Sequence, residues 1–325
     1  MHPLLKELSD IGIIPVIRID DPSDTLPMIN ALSKGGINCA EITFRSEHAQ
    51  QAISDVVKTY PEILVGAGTV LTISQAEAAV KAGAKFIITP GLNEEVVQWC
   101  IHHNVLVVPG VSTASEIEKA LSLGLDTVKF FPAESSGGAK RIKDLSAPYS
   151  TMHFMPTGGI NPNNMHDYLS LPCVDAIGGS FMLPQDLVDA KDWDAIELKT
   201  KEAIKNLLSY RLIHIGINND SKDDAVKFAK ILCDSFGFKL YEKPKSAFAG
   251  EGFELLHAKG PGDKGHIAIY TPYPERALYQ LKKIGINVIE ETITRNKKTN
   301  KINFAYLDLD IAGFKFHLIN PDVKM

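Results

Sequence analysis

Short apolar runs alternate with amphipathic stretches from Ile13 to about Leu208. The runs are Ile13–Ile17, Cys39–Phe44, Ile63–Ala67, Phe86–Thr89, Leu106–Val108, Thr127–Phe130, His153–Met155 and Val174–Ile177. Each is followed by a segment of helical period, such as Ser74–Ala82 or Ala114–Leu123, so the pattern predicts eight βα units. The runs are continuously hydrophobic rather than alternating, as parallel strands buried on both faces are. Glycines such as Gly35-Gly36, Gly83 and Gly124 stand where a helix must stop before the next strand. Eight such units in roughly 200 residues predict an α/β fold, a (β/α)8 TIM barrel near its lower size limit.

The pattern then changes. Asp192–Tyr210 reads as a helix leading out of the barrel, and from Arg211 new elements appear. They are strand His214–Asn218, helix Asp223–Ser235, and strands Phe238–Glu242 and Gly252–Ala258. The order repeats with strand Gly265–Thr271, helix Pro274–Ile284, and strands Val288–Glu290, Asn303–Asp308 and Phe314–Ile319. An internal repeat of this kind predicts an α+β domain of two βαβββ modules. The expected domains are 1–208 and 211–325, and two domains suit a chain of 325 residues.

Composition excludes several function classes. Hydrophobic content of 45% and charged content of 22% describe an ordinary globular protein. A net charge of −5 leaves no basic footprint for nucleic acid or an anionic membrane. No apolar run is long enough to span a bilayer, and the N-terminus is too short and too charged for a signal peptide. Cys39, Cys100, Cys173 and Cys233 lie far apart without a CxxC pair, which fits reduced thiols serving as filler in a cytoplasmic protein. His102-His103 ends a helix, and the basic run Arg295–Lys301 reads as a solvated hairpin loop.

Candidate chemistry gathers at the expected C-terminal ends of the barrel strands, where catalytic groups of this fold belong. Lys129 sits in Thr127-Val-Lys-Phe-Phe-Pro-Ala-Glu134, sharing a strand face with Phe131. A lysine among aromatic rings loses hydration, which disfavours its charged form, and a neutral amine can condense with a ketone. The residue type alone leaves a second reading open, a lysine extending its ammonium out of the strand end. Glu41, Thr43 and Arg45 close the second strand, Gly66–Thr69 the third, Thr89–Gly91 the fourth and Pro109–Val111 the fifth. Thr157–Gly159 and Gly178–Ser180 follow the seventh and eighth, the common phosphate position.

Glu41-Ile-Thr-Phe-Arg45, Gly66-Ala-Gly-Thr-Val-Leu71, Thr89-Pro-Gly91, Lys129-Phe-Phe-Pro-Ala-Glu134, Pro156-Thr-Gly-Gly-Ile160 and Gly178-Gly-Ser180 occur in order and in register. Over roughly residues 5–208 they closely resemble the class I aldolases acting on 2-keto-3-deoxy-6-phosphogluconate (KDPG), which often also cleave 4-hydroxy-2-oxoglutarate (KHG). The resemblance implies cleavage of KDPG to pyruvate and glyceraldehyde 3-phosphate, or of KHG to pyruvate and glyoxylate. Lys129 would form the imine, with Glu41 as general acid/base. Arg45 and Thr69 would hold the pyruvate carboxylate, and Arg45 presents a planar fork suited to one. Gly158, Gly159, Gly179 and Ser180 would bind phosphate through backbone N–H groups, with Thr157 touching substrate hydroxyls. Pro90 and Phe131 would be apolar walls, and Arg18 could join the carboxylate or Glu41. The family implies no cofactor for the aldolase and a homo-oligomer, usually a trimer. The bland alternative for Glu41 is an ion pair with Arg45 or Arg18. A phosphosugar isomerase or epimerase on the same barrel is the rival activity, and it would not need Lys129.

The repeated C-terminal modules resemble the glyoxalase, or vicinal-oxygen-chelate, fold. In that family each module gives a ligand on its first strand and one on its last. The matching positions hold His214 and Glu254, then His266 and His317. The last is commonly an acid, so His317 departs from the pattern, although histidine is a competent ligand for Zn, Ni or Fe. A module that senses a metal or small molecule, and regulates or oligomerises the aldolase, is the other reading of this domain.

Overall fold

Parallel pairing dominates the first half of the molecule. In the computed structural model, which describes residues 2–297 and 299–320, the chain divides into two compact units after Leu207. The first unit holds strands β1 (Ile13–Ile17), β2 (Cys39–Thr43), β3 (Leu64–Gly68), β4 (Phe86–Ile88), β5 (Leu106–Val108), β6 (Gly110–Val111), β7 (Thr127–Phe130), β8 (His153–Pro156) and β9 (Ile177–Gly179). Their hydrogen-bonded order is β5-β4-β3-β2-β1-β9 in one sheet and β6-β7-β8 in another. The two sheets are arcs of one ring. Only Pro109 separates β5 from β6, and bridges Phe154–Val174 and Thr157–Gly178 join β8 to the β9 side. The barrel predicted from hydrophobic periodicity is therefore present.

Two strand boundaries differ from expectation. The fifth strand is broken at Pro109, whose carbonyl accepts from the Lys129 N–H at 2.8 Å. The eighth begins at Ile177 rather than Val174, so Gly178 and Gly179 lie within the strand instead of after it. A glycine inside a strand often marks close approach of a neighbour. Here a Cβ on Gly178 would lie 2.2 Å from Thr157 Oγ1.

Local chemistry explains the helices. Residues Ala114–Ser122 begin with a capping box between Thr113 and Glu116, and Ile73–Ala82 begins with Thr72 accepting from Gln75 N–H. Gly83 ends the latter with φ of 106°, a conformation costly for residues with a Cβ. Apolar faces of these helices cover the barrel, burying Ala76, Ala79, Ile117 and Ala120 completely. Each fully buried large aliphatic side chain, such as Ile14 or Ile42, contributes about 1.5–3 kcal/mol of transfer free energy. No described helix is long and apolar enough to cross a membrane.

The second unit contains strands β10 (Arg211–Ile217), β11 (Leu240–Glu242), β12 (Ser246–Ala249), β13 (Phe253–Leu256), β14 (Gly265–Tyr270), β15 (Thr294–Arg295), β16 (Ile302–Ile311) and β17 (Phe314–Ile319). They form one sheet ordered β11-β12-β13-β10-β14-β17-β16-β15. Each half is a βαβββ module whose first strand pairs in parallel with its last, β10 with β13 and β14 with β17. The halves join through the antiparallel pair β10–β14. Sequence patterning omitted β12, whose small residues resemble a loop, and misassigned one strand. Val288 makes only an isolated bridge to Leu307, and Glu290–Thr292 is a 3-10 turn. The short β15 takes the second-strand place, and the basic run beyond it forms the loop between β15 and β16, with Lys298 outside the described residues.

Candidate functional site

Lys129 and Glu41 project into the barrel from β7 and β2. The Lys129 side chain is 7% exposed and that of Glu41 1%, and Nζ donates to Oε1 at 3.1 Å. Neither charge could be held there alone without a large desolvation cost, so the pair is the condition of its own burial. Space for the carboxylate comes from the third strand, where a Cβ on Gly68 would fall 2.2 Å from Glu41 Oε1. Phe131 supplies an aromatic face, its ring centroid 5.2 Å from Nζ. Pro90 is half-buried in the turn after β4, where its carbonyl fills the space that a Cβ on Gly110 would need.

Arg45 and Thr69 follow β2 and β3, strands paired in parallel as far as Thr43–Gly68. The Arg45 Nε donates to Thr43 Oγ1 at 3.3 Å, and that hydroxyl donates to Ile17 O at 2.8 Å, anchoring the exposed guanidinium stem to the barrel rim. Thr69 adopts φ of 54°, a left-handed conformation that a β-branched residue rarely takes. Strain of this sort is held by surrounding structure and clusters at functional sites. Arg45, Arg18 and Ser180 line a cleft of about 760 Å³ with Val16, Ile19 and Gln185, a volume that suits a small ligand.

The two glycine segments meet across β8 and β9. Thr157 is 7% exposed and bridges Gly178, while Gly158 and Gly159 have φ of 107° and 80°. Gly179 is buried at the end of β9, and Ser180 is the exposed residue that follows.

The comparisons with known proteins act on this geometry. A family model described as KDPG and KHG aldolase matches residues 5–198. The chain belongs to this aldolase family. It is 44% identical over 201 residues to the 2-dehydro-3-deoxy-phosphogluconate aldolase of Haemophilus influenzae, covering 62% of this chain and 95% of that one. A KDPG aldolase structure from Legionella pneumophila, with pyruvate captured as a covalent carbinolamine, is 36% identical with a TM-score of 0.60, covering 61% of this chain and 97% of that one. The Zymomonas mobilis KDPG aldolase with 3-phosphoglycerate is 35% identical with a TM-score of 0.58, covering 61% and 94%.

Arg18 and Glu41 each have a charged partner in the aldolase unit. Arg18 lies just past β1, pairs with Asp20 at 2.8 Å, and lines the same cleft as Arg45. Glu41 is paired with Lys129, and neither arginine is its partner. The Glu41–Lys129 pairing depends on which faces β2 and β7 turn inward, and residue spacing carries no such information.

In the second unit the four residues singled out as ligands come together. His214 on β10 stands beside Ala268 on β14, which stands beside His317 on β17. One row along, Glu254 on β13 stands beside Gly216, and Gly216 beside His266. Alternation along each strand puts both rows on one face of the sheet. The small residues between the ligands leave room, since a Cβ on Gly216 would lie 2.2 Å from the His266 ring. The His214 and His266 Nε2 atoms are 3.1 Å apart, and Glu254 Oε2 is 3.2 Å from each. One ligand atom from each of His214, His266 and His317 lies within 4.8 Å of the others.

Electrostatics follow from this crowding. Burial raises the Glu254 carboxyl, but hydrogen bonds from His214, His266 and Ser246 outweigh it and hold the group well below the usual carboxylate range. Burial, followed by the neighbouring His266 and His214, pushes the His317 imidazole down to about 3, leaving it a neutral donor. Ser246 Oγ donates to Glu254 Oε1 at 2.6 Å and so orients Oε2 toward the histidines. Phe248, Phe304 and Tyr306 surround the cluster with rings.

Proposed function

We propose that Lys129 is the Schiff-base nucleophile of this aldolase and Glu41 its general acid/base. The supporting observation is their buried contact, 3.1 Å between Nζ and Oε1. Glu41 is in reach to take the proton that the Lys129 amine must lose before it attacks the C2 ketone. Addition gives a carbinolamine, and loss of water gives a protonated imine. That imine draws in the electrons of the C3–C4 bond as Glu41 removes the C4 hydroxyl proton. Glyceraldehyde 3-phosphate departs, leaving the enamine of pyruvate. Glu41 returns the proton to C3, and water hydrolyses the resulting imine to free pyruvate and Lys129.

Arg45 and Thr69 take the C1 carboxylate in this reading, with Pro90 and Phe131 as apolar walls. Thr157 meets the substrate hydroxyls, while Gly158, Gly159, Gly179 and Ser180 cradle the phosphate with backbone donors. The pyruvate carbinolamine of the Legionella relative and the phosphoglycerate complex of the Zymomonas one support both ends of this assignment. The family trimer, a cytoplasmic setting and an aldolase reaction without a cofactor belong to the same reading. Borohydride reduction with pyruvate, followed by peptide mass mapping, tests it. An adduct on Lys129 is expected. An adduct elsewhere overturns the site, and no adduct on folded protein revives the isomerase.

For the second unit we infer a divalent metal site formed by His214, Glu254, His266 and His317 in a fold of the vicinal-oxygen-chelate type. The donors fit the group. Nitrogen and oxygen atoms 3.1–3.2 Å apart match the roughly 3.3 Å separation of ligands around tetrahedral zinc. The Nε2 atoms of His214 and His266 converge on each other and on Glu254, while their buried Nδ1 atoms find no hydrogen-bond partner among the described residues. Zn, Ni or Fe suits a nitrogen-rich set, and a bound ion would supply Lewis acidity. About one equivalent of metal after purification, lost in His266→Ala, is expected. Metal-free protein after growth and refolding with each ion would refute the site.

A further inference from the structure

The residues after Lys129 do more than end a strand. Ala133 N–H donates to Thr157 O at 2.8 Å and Glu134 N–H to Gly158 O at 3.0 Å, joining Pro132–Glu134 to the first glycine loop. Glu134 then lays its side chain over Gly159. A Cβ on residue 159 would lie 2.6 Å from Glu134 Cγ and 2.8 Å from its Cβ. The carboxylate does not trail into solvent, because Oε1 accepts a hydrogen bond from the Tyr168 hydroxyl. Tyr168 is 1% exposed in helix Met165–Leu169. Burial, and then Glu134 itself, pushes its phenol far above the usual range, so the group stays a donor.

A carboxylate beside a loop that receives an anion is unfavourable unless it serves a purpose there. We propose that Glu134, clamped by Tyr168, is a positioning residue that fixes the Gly158–Gly159 backbone relative to Lys129 and so confers preference for a phosphorylated substrate. One continuous segment runs from the nucleophile to the loop, so the spacing between imine carbon and phosphate is set by this clamp. A one-ångström error in such spacing is enough to cost a large factor in rate. The inference rests on the reading of the glycine loops as the phosphate site.

The test compares full-length wild type with Glu134→Gln, Glu134→Ala and Tyr168→Phe on two aldols, KDPG and the unphosphorylated KHG. Phosphate-dependent kcat/KM falls about tenfold or more in Tyr168→Phe and Glu134→Ala, mainly through KM, with a smaller fall in Glu134→Gln, whose amide oxygen still accepts. KHG cleavage changes about twofold or less, and borohydride trapping of pyruvate on Lys129 persists. Equal losses on both aldols, or no loss on either, overturn the proposal. If Glu134→Ala fails to fold, Tyr168→Phe and Glu134→Gln decide it. Wild type indifferent to the phosphate, with inorganic phosphate failing to compete, refutes the loop reading itself. A wild-type preference that survives in every variant refutes only the role of Glu134.

Discussion

A side chain on residue 68 would occupy the place of the Glu41 carboxylate. A Cβ on Gly68 would lie 2.2 Å from Glu41 Oε1 and 2.6 Å from Cγ, inside a barrel where Glu41 has nowhere exposed to go. Gly68→Ala therefore displaces the carboxylate from Lys129. It lowers kcat about 100-fold and destabilises the fold by about 1–3 kcal/mol through overpacking. Steady-state kinetics beside thermal denaturation checks both, and unchanged kcat would count against Glu41 as the acid/base.

Glu41→Gln keeps the shape and removes the base. Cleavage slows by about 10²–10⁴, while Lys129 can still be reduced onto pyruvate at long incubation. Failure to trap any pyruvate in this variant would mean that Glu41 acts chiefly on the lysine before imine formation.

At the base of the barrel, His153 Nδ1 lies 2.9 Å from Asp175 Oδ1. That hydrogen bond, against opposing burial, raises the His153 imidazole above its usual value, helped by the charges of Asp175 and Asp126. A histidine raised in the fold gives stability that is complete below its unfolded value of about 6.5 and lost as pH rises through the folded one. Asp175→Asn should therefore lower Tm most near pH 5.5, with the gap to wild type narrowing toward pH 8.5. Melting curves at the two pH values test this, and a gap that widens with pH would contradict it.

Gly216 lies between Glu254 and His266 in the sheet register. Gly216→Ala would drive a methyl into the His266 ring, 2.2 Å from Cε1. The expected result is loss of bound metal with Lys129 trapping intact. Retained metal in this variant would exclude His266 as a ligand.

Glu41, Arg45, Lys129 and the glycine loops were legible as candidates because each sits at the end of an apolar run, and the barrel directs those ends to one rim. The pairing of Arg18 with Asp20, two residues away, is local and was open to the sequence, which named other partners for it. Glu134 gave no sign of its role in the sequence, since its partner Tyr168 is 34 residues distant and the contact exists only after folding. The break at Pro109 was not anticipated, although a proline within a strand is a compositional cue to one, and the shift of the last barrel strand goes with the space that Gly178 leaves for Thr157.

Periodicity, glycine stops and an internal repeat by themselves determined the two architectures, because hydrophobic burial acts on every residue of a strand or helix and leaves a regular trace. They also located the candidate chemistry at strand ends. Pairing was decided by tertiary structure alone. Which carboxylate meets Lys129, which glycine makes room for it, and how His214, Glu254, His266 and His317 share one sheet face all depend on strand register and the direction each side chain turns. Those quantities are set by contacts between residues far apart in the chain, and no local pattern encodes them.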